Sequence, residues 1–188
     1  AALNGKIYAI GGYTPLDHYY NINPTSNFMD TNEEYDPTTD TWTTKTSMPT
    51  PRAYFAIAAC NNKIYCINSA LVGWTTDEIY HLFPVPIWSG VNEVYDPATD
   101  TWTTKAPMPT AMAQAKANVV NEKIYIVDYE FNWMYDPISD SWSNKTSAPY
   151  PVSDLLSTVV GDKIYFFGSY QAVLIYDTVN DSWSQVAR

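Results

Sequence analysis

The sequence predicts an all-β fold of four repeated, four-stranded antiparallel sheets across 188 residues. Three observations carry this. The block Tyr35-Asp36-Pro37-Thr38-Thr39-Asp40-Thr41-Trp42 returns at Tyr95–Trp102, Tyr135–Trp142 and Tyr176–Trp183. A shorter block, Lys6-Ile7-Tyr8, returns at Lys63-Ile64-Tyr65, Lys123-Ile124-Tyr125 and Lys163-Ile164-Tyr165. The third is spacing: 21 residues separate each Trp from the next Lys (42 to 63, 102 to 123, 142 to 163), so that segment follows one fixed path.

The second unit shows how each element is read. Ala53–Cys60 is a first strand, Asn61-Asn62 a tight turn and Lys63–Asn68 a second strand. A loop follows, then a third strand at Asn92–Tyr95, a turn at 96–100 and a fourth strand at Thr101–Lys105. β-branched and aromatic residues fill the strands, while Asn, Asp and Pro punctuate them. Pro37, Pro97 and Pro137 preset the outer turn, with Thr178 in their place in the last unit, and the flanking aspartates accept from nearby backbone N–H groups. No stretch has a helical apolar period. Sheets that cannot bury both faces alone pack around an axis, with Tyr and Trp filling the wedges between them: a β-propeller. The units run 1–49, 50–109, 110–149 and 150–188.

Composition narrows the function. Ten Lys+Arg against 20 Asp+Glu give a net charge of -10, which excludes a basic nucleic-acid surface. Aromatics at 15% nearly equal charged residues at 16%, the composition of a folded chain. No apolar run approaches the ~18 residues of a membrane helix. The opening Ala1-Ala2-Leu3-Asn4-Gly5 has no basic-plus-apolar leader, as in a trimmed or partial chain. Cys60 and Cys66 fit no zinc spacing. With Cys60 opposite Lys63, Cys66 falls opposite Ile57, so two free, buried thiols are expected.

The chain resembles the kelch-repeat family over essentially its whole length. The Ile-Tyr pairs, Gly11-Gly12, the Tyr-Asp-Pro…Trp blocks and Met48-Pro49-Thr50-Pro51-Arg52 carry the resemblance. The block at Tyr95–Trp102 is especially similar to repeats of secreted prokaryotic members. The pattern is degenerate: the double glycine occurs once, and Met112 and Val152 stand where Arg52 does. The resemblance implies a kelch-type β-propeller, usually of more than four blades, whose first strand in each blade is innermost. Aligned on Lys-Ile-Tyr, Ala1 matches Ala58, Asn118 and Thr158, so the first blade lacks most of that strand and about fifteen strands are expected. Three outcomes stand open: a segment of a longer propeller, a small ring with one three-stranded blade, or completion by another copy through the unpaired inner strand edge.

All length variation lies between the second and third strands. Lys to the Tyr of Tyr-Asp spans 29 and 32 residues in the first two units, against 12 and 13 in the others. The insertions, 13–32 and 69–91, map to one face of the scaffold, often the binding face. The first holds Tyr13, His18, Tyr19, Tyr20 and Phe28; the second holds Trp74, Tyr80, His81, Phe83 and Trp88, stiffened by Pro84 and Pro86. Exposed aromatics with few charges suit a protein or glycan partner.

No catalytic residue is assigned. Some kelch-like enzymes use copper with tyrosines and histidines, and no local motif here supports that comparison. The paired turn aspartates lack a calcium-loop spacing, so no metal or cofactor is expected. Two sequons, at Asn144 and Asn180, with low charge, favour an extracellular or cell-surface protein. The expectation is a non-enzymatic binding or scaffold module. A structural subunit joined to other copies by strand complementation is the alternative, and a carbohydrate-active enzyme is less favoured.

Overall fold

The computed structural model describes residues 1–13, 28–76, 82–111, 115–152, 155–168 and 172–187, with backbone alone for 69–76, 82–88, 172 and 187. Sixteen strands among these form four four-stranded antiparallel sheets in simple sequential order. Blade 1 holds β1 (Ala2–Leu3), β2 (Lys6–Ile10), β3 (Asn32–Asp36) and β4 (Thr41–Thr44). Blade 2 holds β5 (Ala56–Cys60), β6 (Lys63–Thr76), β7 (Leu82–Asp96) and β8 (Thr101–Lys105). Blade 3 holds β9 (Lys116–Val120), β10 (Lys123–Asp128), β11 (Phe131–Asp136) and β12 (Ser141–Asn144). Blade 4 holds β13 (Leu156–Val160), β14 (Lys163–Phe167), β15 (Ala172–Asp177) and β16 (Ser182–Ala187).

Each inner hairpin turns on residues with positive φ. These are Asn4-Gly5, Asn61-Asn62, Asn121-Glu122 and Gly161, the conformations that a two-residue hairpin demands. The register is the expected one: Cys60 pairs Lys63 and Ile57 pairs Cys66. Both thiols are free and buried. The first strand of blade 1 is a two-residue strand, Ala2 opposite Ile7 and Leu3 opposite Lys6, which makes sixteen strands rather than fifteen. The Ala1 ammonium extends it by donating to the Tyr8 carbonyl at 2.8 Å, and Tyr8 N–H donates back to the Ala1 carbonyl at 2.7 Å.

Two further expectations are corrected. β5 begins at Ala56, not Ala53, because Ala53–Phe55 belong to the link from blade 1 and Tyr54 has a left-handed φ of 58°. The insertion 69–91 is not a loop. β6 and β7 continue as one long hairpin, Ser69 opposite Ser89 through Thr76 opposite Leu82, after a register shift at Asn68. Trp74, Phe83 and Trp88 therefore lie on strands, opposite Pro84, Thr75 and Ala70. Pro84 and Pro86 fit because β8 pairs β7 only from Asn92 onward, so a missing N–H along the outer edge breaks no ladder bond.

Three apolar clusters hold the blades together in chain order. Tyr8, Met48, Ile64, Cys66 and Tyr95 join blades 1 and 2. Ala58, Tyr65, Ile67, Ile124 and Tyr135 join blades 2 and 3. Tyr125, Val127, Ile164, Phe166 and Tyr176 join blades 3 and 4. In each joint, the Tyr of an Ile-Tyr pair meets the Tyr of the next blade's Tyr-Asp pair. The ring centroids lie 6.0 Å apart for Tyr8–Tyr95, 5.9 Å for Tyr65–Tyr135 and 5.9 Å for Tyr125–Tyr176. Each such Tyr also packs on its own blade's Trp at 4.9–5.1 Å. Aromatic pairs tilted in this way add about 0.5–1.5 kcal/mol beyond their buried area.

A polar clamp repeats at the same joints. The N–H of Thr46, Ala106 or Thr146, in the segment leaving one blade, donates to Asp100, Asp140 or Asp181 of the next at 2.9–3.0 Å. The carbonyl of that same residue accepts the indole N–H of Trp102, Trp142 or Trp183 at 2.8–2.9 Å. The clamping aspartate also accepts its own blade's tyrosine hydroxyl at 2.5–2.7 Å. That bond is the main reason the Asp100 and Asp140 carboxyls titrate below their ordinary range. The first aspartate of each turn does what the sequence predicts: Asp36, Asp96, Asp136 and Asp177 accept the N–H two residues on. In blade 4, Thr178 replaces the turn proline and ties down the inner hairpin. Its N–H and hydroxyl both donate to the Asp162 carbonyl, at 3.1 and 2.8 Å.

Candidate aromatic binding face

The inter-blade links and the connections between second and third strands meet on one face, because they hydrogen-bond to each other. Gly12 N–H donates to the Arg52 carbonyl at 3.0 Å, and Met48 N–H to the Asp30 carbonyl at 2.8 Å. In blade 3, Ala148 N–H donates to Glu130 and Val152 N–H to Tyr129, both at 3.0 Å. Met108 N–H donates to Gly90 at 2.7 Å in blade 2. The connections between second and third strands thus share a face with the links.

Of the residues picked from the sequence, His18, Tyr19, Tyr20, Tyr80 and His81 lie outside the described residues. Trp74, Phe83 and Trp88 are described by backbone and lie on the extended hairpin. Tyr13 and Phe28 face each other in an antiparallel bridge that closes the first insertion at its base, with Phe28 partly buried and Tyr13 exposed. Asn144 is exposed at the end of β12. The Asn180 amide is engaged in the outer turn, donating to Asp177 at 3.1 Å. Among the described residues, no three His, Cys, Asp or Glu side chains are placed to hold a metal, and no helix is long and apolar enough to cross a membrane.

Four exposed aromatics on this face escaped the sequence reading: Tyr54, Tyr129, Phe131 and Tyr150. Tyr54 stacks on Tyr13, with centroids 5.4 Å apart and planes at 30°, so a link and an insertion share one aromatic ledge. The hydroxyl bond to Tyr13 raises the Tyr54 pKa above its ordinary value. Beside the ledge lies a cleft of about 320 Å³ lined by Tyr54, Phe55, Ala115 and Lys116. Tyr129 occupies the tip of the β10–β11 turn, next to Phe131 at the start of β11, and Tyr150 follows in the link to blade 4.

Backbone conformation singles out two of these. Nine of the twelve described non-glycine residues with positive φ are Asn or Asp, whose short polar side chain tolerates it; eight sit in turns and Asn68 at the register shift of β6. The exceptions are Glu122, in an inner hairpin, and Tyr54 and Tyr129, at φ 58° and 51°. A bulky residue held there costs about 1 kcal/mol or more, and such strain gathers at binding sites. The sequence does carry a trace of this: Tyr129 stands where Gly12 stands in the first repeat.

Beneath the ledge, Arg52 is fully buried. It pairs with the buried carboxylate of Glu93 and also donates to the Cys66 carbonyl at 2.9 Å and the Thr50 carbonyl at 3.3 Å. Thr50 hydroxyl donates to the other Glu93 oxygen at 2.7 Å. The guanidinium lies 5.4 Å from the Phe55 ring centroid. This network fixes the link that carries Tyr54. At the opposite face, a cleft of about 630 Å³ is lined by residues of the inner hairpins, among them Leu3, Cys60, Asn62 and Glu122. Burial raises the Cys60 thiol above its ordinary value and pushes Cys66 up to about 12.

Residues 1–49 match the family described as Kelch motif. The chain is 34% identical over 99 residues to Kelch-like protein 26 of Danio rerio, covering 53% of this chain and 15% of that protein. It is 33% identical over 131 residues to Kelch-like protein terF of Aspergillus terreus, covering 67% and 25%. To human Kelch repeat and BTB domain-containing protein 12 it is 28% identical over 127 residues, covering 67% and 19%. The chain thus spans a quarter or less of each of these relatives. The solved structure titled Structure of YjhT superposes with a TM-score of 0.70 at 16% identity, over 100% of this chain and 64% of that one, a likeness of fold. Repeat spacing, four sequential sheets with a common joint, and these matches make this chain a kelch-repeat protein with a β-propeller fold.

Proposed function

We propose that the chain is a non-enzymatic binding module that engages a protein partner through the aromatic face of Tyr13, Tyr54, Tyr129, Phe131 and Tyr150. The observation that carries this reading is the placement of two exposed tyrosines, Tyr54 and Tyr129, in a backbone conformation that favours glycine. Both rings stay largely exposed despite the strain, Tyr54 stacked on Tyr13, and so leave aromatic surface open to a partner. Tyrosine is an efficient contact residue, with a large rigid ring and a hydroxyl that finds a partner at a wet rim. Kelch-repeat proteins generally act through protein–protein contacts, which agrees with this reading. The two sequons and the low charge further support a place outside the cell or on its surface.

The test is Tyr54→Gly combined with Tyr129→Gly. Glycine accepts the left-handed conformation without cost. The double variant is expected to match or exceed the parent in thermal stability, while affinity for a protein partner captured by the parent chain falls about 10- to 100-fold, the loss typical of interface anchors. A variant that keeps full affinity defeats the proposal. So does one that loses affinity only in proportion to a loss of folded protein.

A further inference from the structure

Blade 2 extends into a two-stranded ribbon whose two edges differ in chemistry. β5 pairs β6 only as far as Ile67, and β8 pairs β7 only from Asn92. Among the described residues, 69–76 and 82–89 therefore pair with each other alone. Such a ribbon is marginal in water. Neither stretch holds a charged residue, so one usual guard against further strand pairing is missing from both.

The direction of each N–H follows from the register. In an antiparallel pair, alternate residues turn N–H and C=O toward the partner strand, and those between turn both away. The Gly90 carbonyl faces away from β6, since it accepts the Met108 N–H. Counting back by twos, Trp88, Pro86, Pro84 and Leu82 face the same way, the only direction in which a proline costs no ladder bond. The outer edge of β7 thus lacks two of its four N–H groups. Opposite these four residues stand Ala70, Val72, Trp74 and Thr76 of β6. Each turns its N–H and C=O to the other edge, which holds no proline and has no strand on it among the described residues. One edge is blunted and the other is intact.

We propose that the β6 edge at Ala70, Val72, Trp74 and Thr76 takes an extended segment of a protein partner as a third strand. Main-chain hydrogen bonds supply the affinity in this mode. The segment spans about seven residues, as Ala70 to Thr76 does, and carries no proline where it faces β6. It is neutral or basic, because the net charge of -10 repels an acidic segment and equally a second copy of this chain. Pro84 and Pro86 direct it to β6 and keep the sheet from growing on the other side. The inference takes from the proposed function only the kind of occupant, a protein; the contact is a backbone edge and not the tyrosine face.

The probe is a displayed library of short random peptides selected on the full chain. Selected peptides are synthesised and titrated into the parent, Val72→Pro and Val72→Thr. Val72→Pro removes one outward N–H and leaves the β6–β7 ladder complete, because Val72 and Pro86 exchange no hydrogen bond. The peptides are expected to bind Val72→Pro about 10-fold or more weakly and to bind Val72→Thr, which keeps the N–H, as they bind the parent. Slow amide exchange at Leu71 and Gly73 shows whether the ribbon stays intact in Val72→Pro. Methylating the backbone nitrogens of a selected peptide should abolish its binding to the parent, and this arm decides if Val72→Pro frays the ribbon. The Tyr54→Gly, Tyr129→Gly double variant should keep peptide binding, so the edge and the tyrosine face fail separately. A library that yields no binder overturns the proposal, as do peptides that bind parent and Val72→Pro alike or a methylated peptide that keeps its affinity. A parent chain that dimerises, with Val72→Pro dissolving the dimer, assigns the edge to a second copy and also overturns it.

Discussion

Replacing Glu93 by Ala is expected to destabilise the protein by about 3–5 kcal/mol, because it strands the Arg52 guanidinium without a counter-charge in a site closed to water. Arg52 would keep only the Thr50 and Cys66 carbonyls, and its Nε already lacks a partner. Arg52→Ala should cost about as much, since it leaves the carboxylate buried with one Thr50 hydroxyl. The fourth repeat shows how to remove both charges safely. Val152 and Leu174 stand at the positions of Arg52 and Glu93, and both are buried in the joint between blades 3 and 4. The double change Arg52→Val with Glu93→Leu should therefore recover most of the loss, to within about 1 kcal/mol of the parent. Urea unfolding of the two single variants and the double variant checks this. Additive losses would mean that the pair's charges do not interact.

Gly90→Ala should lower stability by about 3 kcal/mol despite adding a single methyl group. A Cβ at Gly90 would sit 2.2 Å from the Met108 carbonyl oxygen and 3.1 Å from its carbonyl carbon. The obstacle is backbone, held at that distance by the Met108 N–H bond to the Gly90 carbonyl at 2.7 Å. Relief requires the link after blade 2 to move away from the extended hairpin. That link runs on to Ala115 and Lys116, which line the cleft beside Tyr54, so the variant should also lose partner affinity. Gly5→Ala is the internal control. Its Cβ meets nothing within 4 Å, so only the cost of a left-handed alanine remains, about 1 kcal/mol. Thermal unfolding of the two variants together measures the difference, and equal losses would contradict the close approach at Gly90.

Local chemistry made much of this fold legible. The Asn61-Asn62 turn sets the register of β5 on β6 down to the Cys60–Lys63 pair, and the Tyr-Asp…Trp blocks mark every outer hairpin. What distant parts of the chain decide was not legible. The second aspartate of each turn reads as a local cap. In blades 2, 3 and 4 it reaches the preceding blade, as Asp100 does to the Thr46 N–H, 54 residues away. The run 69–91 reads as a loop because its prolines interrupt a strand pattern, and the free outer edge of β7 removes that objection only once the sheet exists. Of the proposed binding face, the sequence reading names Tyr13. Tyr54 and Tyr129 were missed because their distinction is a backbone angle, which no side-chain pattern records.

The joint itself is the claim on which blade order and the proposed binding face depend. Amide and indole hydrogen exchange followed by NMR tests it, with each tryptophan assigned by Trp→Phe replacement. Slow exchange of the Trp102, Trp142 and Trp183 indole N–H groups, with fast exchange at Trp42, is the expected pattern. Rates that differ widely among the first three, or protection at Trp42 equal to theirs in the isolated chain, would contradict it.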